Sequence, residues 1–137
     1  MDARYAKNLH ALSATEQHRL ESACVVVAGL GGLGGWTAEL LARAGVGHLR
    51  LVDFDDIEPT NLNRQLFATA STVGTPKTEA ARRRLDDANP SCIVETMRLR
   101  IDDDNAPAVV AGMQVGVDAL DNLEARRTFA RACLLPP

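Results

Sequence analysis

The hydrophobic and polar positions of this chain form two alternating patterns. Short apolar runs predict β-strands, whereas longer stretches with apolar residues three and four positions apart predict helices. Strands and helices that alternate along a chain are typical of an α/β fold, with a mostly parallel sheet, right-handed crossovers and helices on both faces. The predicted strands are 25–28, 49–52, 92–99 and 115–118, and the predicted helices are 35–43, 76–88, 106–111 and 122–133.

An N-terminal helical arm is predicted at 1–23, ahead of the α/β domain at 24–137. Ser13 is followed three positions later by Glu16, which is the sequence of a capping box and predicts the start of a helix. The apolar stripe of the arm is predicted to consist of Leu9, Leu12 and Leu20.

The helices of the domain carry predicted caps and core-facing positions. Thr75 and Asp121 stand where N-cap side chains are expected, and Glu124 follows Asp121 as in a capping box. Residues 44–47 predict a glycine C-cap. Residues 134–137 resemble the approach to another strand, so we expect the domain to be incomplete at its C-terminus. The residues predicted to face the core are Trp36, Leu40, Leu41 and Ala44 in the first domain helix, and Leu123, Phe129 and Ala130 in the last.

Composition narrows the class of protein without selecting one. The chain of 137 residues is long enough for one domain with a core, and its net charge of −3 does not indicate a nucleic-acid surface. Three cysteines without a Cys-x-x-Cys pair argue against a disulfide framework or a zinc knuckle and fit a reducing cytoplasm. No apolar run approaches the roughly 20 residues that span a bilayer, so we expect no membrane segment.

A glycine-rich turn between the first two elements of the domain is the strongest local signal. Glycines allow a tight turn against a phosphate, and the next helix offers its N-terminal N–H groups to an anion. Asp53 ends the second predicted strand, where an acid accepts hydrogen bonds from ribose hydroxyls; a simple strand-end turn is the alternative. The glycines of this turn are Gly29, Gly31, Gly32 and Gly34. The turn and Asp53 together predict a nucleotide site without identifying the nucleotide.

Two cations form a candidate phosphate site. Lys77 falls in the first turn of a helix, where its charge opposes the macrodipole unless an anion is nearby. Arg64 lies in a loop just after an acidic cluster at 53–58. Together the two side chains are suited to a triphosphate, the arginine as a fork and the lysine as a point charge. The alternative is two surface cations without a ligand.

Asp121 is a candidate magnesium ligand. It follows the fourth predicted strand, at the carboxyl edge of the sheet where ligands bind in such folds. Mg²⁺ takes one or two carboxylates together with phosphate oxygens. The spacing alone supports this role and that of a helix N-cap equally.

The order of these motifs resembles the ThiF/MoeB/HesA family, bacterial relatives of the ubiquitin-activating enzymes. The block Asn-Leu-Asn-Arg-Gln at 61–65, with Lys77 downstream, is far more specific than the glycine turn and is absent from dehydrogenases. The segments that carry the resemblance are 29–34, 44–47, 53–55, 61–65, 73–77, 89–90 and 118–122.

The resemblance implies an adenylyltransferase that uses ATP and Mg²⁺. Its substrate would be the C-terminal carboxylate of a ubiquitin-like sulfur-carrier protein ending in Gly-Gly, or a tRNA-attached carboxylate in one branch, and the enzyme would be a homodimer. Catalysis would involve Arg64, Lys77 and Asp121, with Asp121 as the metal ligand. The nucleotide would be bound by Gly29, Gly31, Gly32, Gly34, Asp53, Asp55, Asn61, Asn63, Arg64, Gln65, Lys77, Asp121 and Asn122.

Two departures from the family pattern keep alternatives open. An N-terminal arginine of the family reaches the partner subunit's nucleotide, and Lys7 stands at that position. The second half of the family is not found in this sequence, so we expect a chain truncated to the nucleotide-binding half. The alternatives are a remnant that only binds nucleotide or dimerises, and an NAD-dependent oxidoreductase domain.

Overall fold

A four-stranded parallel sheet organises the chain, in the strand order β3-β2-β1-β4. The computed structural model describes residues 2–135. The predicted α/β fold with a parallel sheet is confirmed. The elements in order are a 3₁₀ helix Ala3–His10, α1 Ala14–Glu21, β1 Cys24–Ala28, α2 Gly34–Ala44, β2 His48–Val52, a 3₁₀ turn Pro59–Asn61, α3 Lys77–Ala88, β3 Ile93–Met97, α4 Ala106–Val110, β4 Val115–Asp118 and α5 Leu123–Leu134.

The strand register brings the carboxyl ends of the strands to one edge of the sheet. Ala28 pairs with Val52 on one side and Asp118 on the other, and Val52 pairs with Met97. The loops that follow all four strands therefore begin side by side. In parallel α/β sheets this edge is where ligands bind.

The central strand β1 is buried on both faces, which is why it is a continuous apolar run. Val25 and Val27 belong to a core formed with α2 and α3, whereas Val26 and Ala28 belong to a second core formed with α4 and α5. Val27 and Ala28 are fully inaccessible to solvent. The sheet thus separates two cores, with helices on both faces as predicted.

The predicted core face of α2 is wrong in part. Trp36 and Leu40 are 50% and 65% exposed, whereas Ala38 and Ala42 are buried against the sheet. Small side chains allow the helix backbone to approach the sheet closely, so the larger apolar residues point away from it. Leu41 packs at the edge of the core as predicted.

Helix starts and the last helix also differ from prediction. Helix α3 has Pro76 rather than Thr75 at its N-cap, and α5 is capped by Asn122, whose Oδ1 accepts a hydrogen bond from the Ala125 N–H at 2.8 Å. Strand β3 is shorter than the predicted 92–99. Leu123 and Ala130 are exposed, while Phe129 packs in the second core. Leu134 ends α5 instead of leading to a strand, and Pro136 and Pro137 lie outside the described residues.

The N-terminal arm packs mainly through polar contacts, with Leu20 as the one predicted leucine that packs against the first core. The Ser13–Glu16 capping box is confirmed. Tyr5 and Gln17 are buried: the Tyr5 hydroxyl accepts a hydrogen bond from Asn89, and the Gln17 amide donates to the Ala44 carbonyl. Of the predicted stripe, Leu9 is exposed, Leu12 is half-buried and Leu20 packs against the first core.

Within residues 2–135, no helix combines the length and apolar character that crossing a membrane requires. Cys24, Cys92 and Cys133 are all free thiols.

Candidate functional site

A cleft of about 540 Å³ opens at the carboxyl edge of the sheet. Its walls come from the loops after β1, β2, β3 and β4 and from the start of α3. The structure brings ten predicted site residues together there, and leaves three, Gly34, Asn61 and Asn63, outside the lining. The ten are Gly29, Gly31, Gly32, Asp53, Asp55, Arg64, Gln65, Lys77, Asp121 and Asn122.

The glycines of the turn serve two different purposes. Gly29 has a φ of +95°, and a Cβ at this position would lie 2.5 Å from the Ala119 carbonyl oxygen. A Cβ at Gly34 would lie only 1.7 Å from the Gly29 carbonyl oxygen. These two glycines therefore permit close packing of the turn. Gly31 and Gly32 instead present backbone to the cleft.

The backbone of the turn offers unused hydrogen-bond donors. The N–H groups of Gly31, Gly32 and Leu33 have no acceptor among residues 2–135, and all three residues line the cleft. No side chain caps the N-terminus of α2, whose N-cap residue is Leu33. Free N–H groups at the positive end of a helix dipole form an anion site.

Asp53 fixes the geometry of two loops at the edge of the sheet. One carboxylate oxygen accepts the Leu30 N–H at 2.8 Å and the other accepts the Asp55 N–H at 2.8 Å. A carboxylate has about four lone-pair positions, so each oxygen retains capacity for one further donor. The predicted role toward ribose hydroxyls is compatible with this geometry.

Lys77 is a buried cation whose ammonium lacks a close partner. The side chain is 8% exposed, and its Nζ lies 3.9 Å from Asp55 Oδ2, too far for a hydrogen bond. None of the hydrogen bonds within residues 2–135 uses this ammonium. It lies in the first turn of α3, where the helix dipole disfavours a positive charge. Both observations indicate a position suited to an anion from the cleft.

The negative side of the cleft surrounds Asp55. Burial raises the pKa of this carboxyl group, the charges of Asp53 and Asp121 raise it further, and Lys77 opposes the increase. Because Asp53 and Asp121 act on Asp55 in this way, three carboxylates belong to one electrostatic cluster. A cation bound with an anionic ligand would relieve their repulsion.

Asp121 is not the N-cap of α5, so its carboxylate is not engaged in the role that was the alternative to metal binding. Asn122 caps α5, and within the described chain the Asp121 carboxylate accepts no hydrogen bond. In residues 2–135 no cluster of three or more His, Cys, Asp or Glu side chains has the arrangement of a metal site. Asp121 therefore fits Mg²⁺ only as one ligand among phosphate oxygens and waters.

The loop that carries Arg64 is anchored to α2 and to itself. The Trp36 indole donates to the Arg64 carbonyl at 3.2 Å, and Arg64 Nη1 donates to the Thr60 carbonyl at 3.0 Å and to Asn63 Oδ1 at 2.9 Å. These bonds leave the rest of the guanidinium available. The exposed Trp36 and Asn63 thus position an arginine at the cleft.

The other polar residues of this loop differ in placement. Asn61 is buried and its Oδ1 accepts the Glu58 N–H at 2.8 Å, so it shapes the 3₁₀ turn. Gln65 is also buried, and its amide faces Gly31. Lys7, at the position of the family's N-terminal arginine, is exposed on the first 3₁₀ helix and does not line the cleft.

Sequence reasoning missed an aromatic and apolar part of the cleft. The Arg100 guanidinium lies 4.0 Å from the centre of the Phe54 ring, and both residues line the cleft. The usable signal was position, because these residues lie two and three positions after strand ends, at the edge where ligands bind. The other missed lining residues include Leu99, Ile101, Leu120 and Ala125.

Sequence comparisons identify two curated relatives of this chain. The chain is 45% identical over 91 residues to tRNA threonylcarbamoyladenosine dehydratase of Bacillus subtilis (strain 168), covering 66% of this chain and 36% of that protein. It is 40% identical over 135 residues to adenylyltransferase and sulfurtransferase MOCS3 of Culex quinquefasciatus, covering 97% of this chain and 31% of that protein.

A solved relative resembles the fold closely. The structure of E. coli tRNA N6-threonylcarbamoyladenosine dehydratase, TcdA, in complex with ATP matches with a TM-score of 0.91 and 31% identity, over 95% of this chain and 54% of that one. TcdA has also been solved in complex with AMP. This chain spans about a third of the two curated relatives and about half of TcdA. The sequence profile of the ThiF family matches residues 5–135, and the chain belongs to this family.

Proposed function

We propose that the cleft binds ATP together with Mg²⁺ and serves the adenylation of a carboxylate, which gives an acyl-adenylate and pyrophosphate. The observation that carries this proposal is the largely buried Lys77 side chain, which lines the cleft and whose ammonium has no hydrogen-bond partner in the described chain. The ATP complex of TcdA supports the choice of nucleotide. The NAD-dependent alternative has no comparable support from the site.

In this proposal the chain binds both the ribose and the phosphates of the nucleotide. Asp53 accepts hydrogen bonds from the ribose hydroxyls with the lone pairs that Leu30 and Asp55 leave free. The free N–H groups of Gly31 and Gly32 donate to phosphate oxygens. The binding energy is used to fix the orientation of the phosphates before reaction.

Arg64 and Lys77 stabilise the negative charge that develops on the phosphates as pyrophosphate leaves. The arginine is held in place by its bonds to Thr60 and Asn63, and the lysine by burial. Preorganised cations of this kind stabilise a transition state without having to reorient during the reaction. No covalent bond to the protein is needed in this step.

Asp121 would hold the Mg²⁺, and Asn122 would line the pocket beside it. When bound, the metal would supply Lewis-acid stabilisation of the negative charge on the phosphates. The pKa of Asp55 is raised by burial and by neighbouring carboxylates, and a cation bound beside these groups would reduce their repulsion.

The substrate carboxylate is proposed to be the C-terminal glycine of a ubiquitin-like sulfur-carrier protein. The relative MOCS3, named an adenylyltransferase and sulfurtransferase, supports this choice over 97% of the chain. A tRNA-attached carboxylate is the second candidate, because dehydratases of tRNA threonylcarbamoyladenosine are also relatives of this chain. We also propose a cytoplasmic homodimer, with 1–23 as its arm and 24–137 as its nucleotide domain.

Exchange of labelled pyrophosphate into ATP tests this function. With a Gly-Gly-terminated carrier protein present, the chain should catalyse exchange, and Arg64→Ala should abolish most of it. Arg83→Ala is the matched control, because this exposed arginine of α3 pairs with Glu79 and does not line the cleft. Exchange that is absent with both the carrier and a threonylcarbamoyladenosine-containing tRNA would contradict the proposal and favour a remnant without turnover.

A further inference from the structure

A cation–π pair occupies a part of the cleft that the proposed phosphate, ribose and metal contacts do not use. The Arg100 guanidinium lies 4.0 Å from the centre of the Phe54 ring, and Phe54 is 41% exposed. Within residues 2–135 the Arg100 side chain makes no ion pair and no hydrogen bond. A planar guanidinium that covers a ring on one side can stack with a second flat group on the other.

The backbone beneath Arg100 is held rigidly. Its carbonyl accepts a hydrogen bond from the Asn105 amide at 2.8 Å. Asp102 and Asn105 exchange reciprocal bonds between side chain and backbone at 2.9 and 2.8 Å, and Ile101 is buried in the second core. The guanidinium is therefore presented from a fixed loop rather than from a mobile one.

The surroundings of Arg100 suit an uncharged flat group. Apolar side chains line the cleft next to it in sequence, at Leu99 and Ile101, and also at Leu120 and Ala125. The phosphate-binding candidates, by contrast, belong to the glycine turn, the Arg64 loop and α3. An apolar wall with one stacked guanidinium favours a heteroaromatic base over a phosphate group.

We propose that Arg100, stacked on Phe54, stacks on the base of the bound nucleotide and contributes to base affinity. This inference rests on the proposed function, since it requires a nucleotide in the cleft. Stacking on the base makes the contribution of Arg100 independent of the number of phosphates. A phosphate contact would instead make it grow from AMP to ATP.

Calorimetric titration of the chain with ATP, AMP and inorganic triphosphate tests the inference. Arg100→Ala should lower the affinity for ATP and for AMP by the same factor, about fivefold to tenfold, and leave the affinity for triphosphate unchanged. Arg100→Lys should lose nearly as much affinity for ATP and AMP, because an ammonium lacks the planar face of a guanidinium. Arg98→Ala is the control, since Arg98 pairs with Asp56 at 2.8 Å and does not line the cleft.

The outcomes separate this inference from the proposed function. A loss confined to ATP and triphosphate, or full affinity in Arg100→Lys, would show a charge contact and overturn the stacking. ATP binding that is unchanged in Arg100→Ala would overturn the inference alone. A wild-type chain that binds no ATP would overturn both.

Discussion

Lys77→Met removes the ammonium of a largely buried side chain while keeping an apolar stem of similar length. The lost interaction with Asp55 is small, because the atoms lie 3.9 Å apart and the Asp55 side chain is 52% exposed. At an effective dielectric constant of about 20 the gross attraction is about 4 kcal/mol, but a solvent-screened pair retains at most about 1 kcal/mol. The substitution also removes an unfavourable charge from the first turn of α3. We expect the free energy of unfolding to change by less than about 1 kcal/mol.

The effect on ATP should be much larger than the effect on stability. A hydrogen bond between a buried ammonium and a phosphate contributes about 1.5–3 kcal/mol, which corresponds to a roughly 10- to 150-fold increase in Kd. Adenosine, which has no phosphate, should bind Lys77→Met as well as it binds the wild type. Isothermal titration calorimetry of both ligands measures the difference directly.

Arg83→Met is the matched control for this experiment. It removes an exposed cation of the same helix that pairs with Glu79 at 3.0 Å. ATP affinity should stay at the wild-type value in this variant. Normal ATP affinity in Lys77→Met, or an equal loss of adenosine and ATP affinity, would refute a phosphate contact by Lys77.

Four further predictions test the turn, the thiols and the metal ligand. Gly34→Ala should destabilise the chain by about 3 kcal/mol or more, because its Cβ would lie 1.7 Å from a carbonyl oxygen. Gly32→Ala should be tolerated, and similar thermal stability of the two variants would contradict this prediction. At about pH 8 a thiol reagent should label exposed Cys133 but not buried Cys92 in the folded chain, and equal rates would count against the structure. Burial raises the pKa of Cys92 from 9.0 to about 11, so the folded state binds this proton more tightly than the unfolded state does. Denaturant titrations should therefore show the free energy of unfolding falling as the pH rises from 9.0 towards 11. Asp121→Asn should weaken ATP binding about tenfold with Mg²⁺ and leave it unchanged with a chelator, in parallel calorimetric titrations; an equal loss in both would exclude a metal role.

The fold was predictable because parallel strands buried on both faces form recognisable apolar runs. The alternation of these runs with helices fixed the class of the fold, and the positions of Asp53 and Lys77 followed from a strand end and a helix start. Which face of α2 is buried was not predictable from large apolar residues. Ala38 and Ala42 allow the closest approach to the sheet, so Trp36 remains outside.

The functions of neighbouring polar residues depend on one-residue shifts that a sequence does not resolve. Asp121 and Asn122 are both good N-caps, and only the backbone at the start of α5 selects Asn122. Asn61 and Asn63 belong to the same motif as Arg64, yet one shapes the 3₁₀ turn and the other orients the arginine. These differences arise from tertiary contacts rather than from residue type.

Thermal unfolding with ATP and Mg²⁺, compared with NAD⁺, tests the central claim that this cleft is an ATP site. At a concentration 100 times its Kd, ATP should stabilise the chain by about 2.7 kcal/mol, a shift in Tm of roughly 10 °C. The same concentration of NAD⁺ should produce no shift, and at the same ATP concentration Lys77→Met should show a much smaller one. Stabilisation by NAD⁺ but not by ATP would contradict the account.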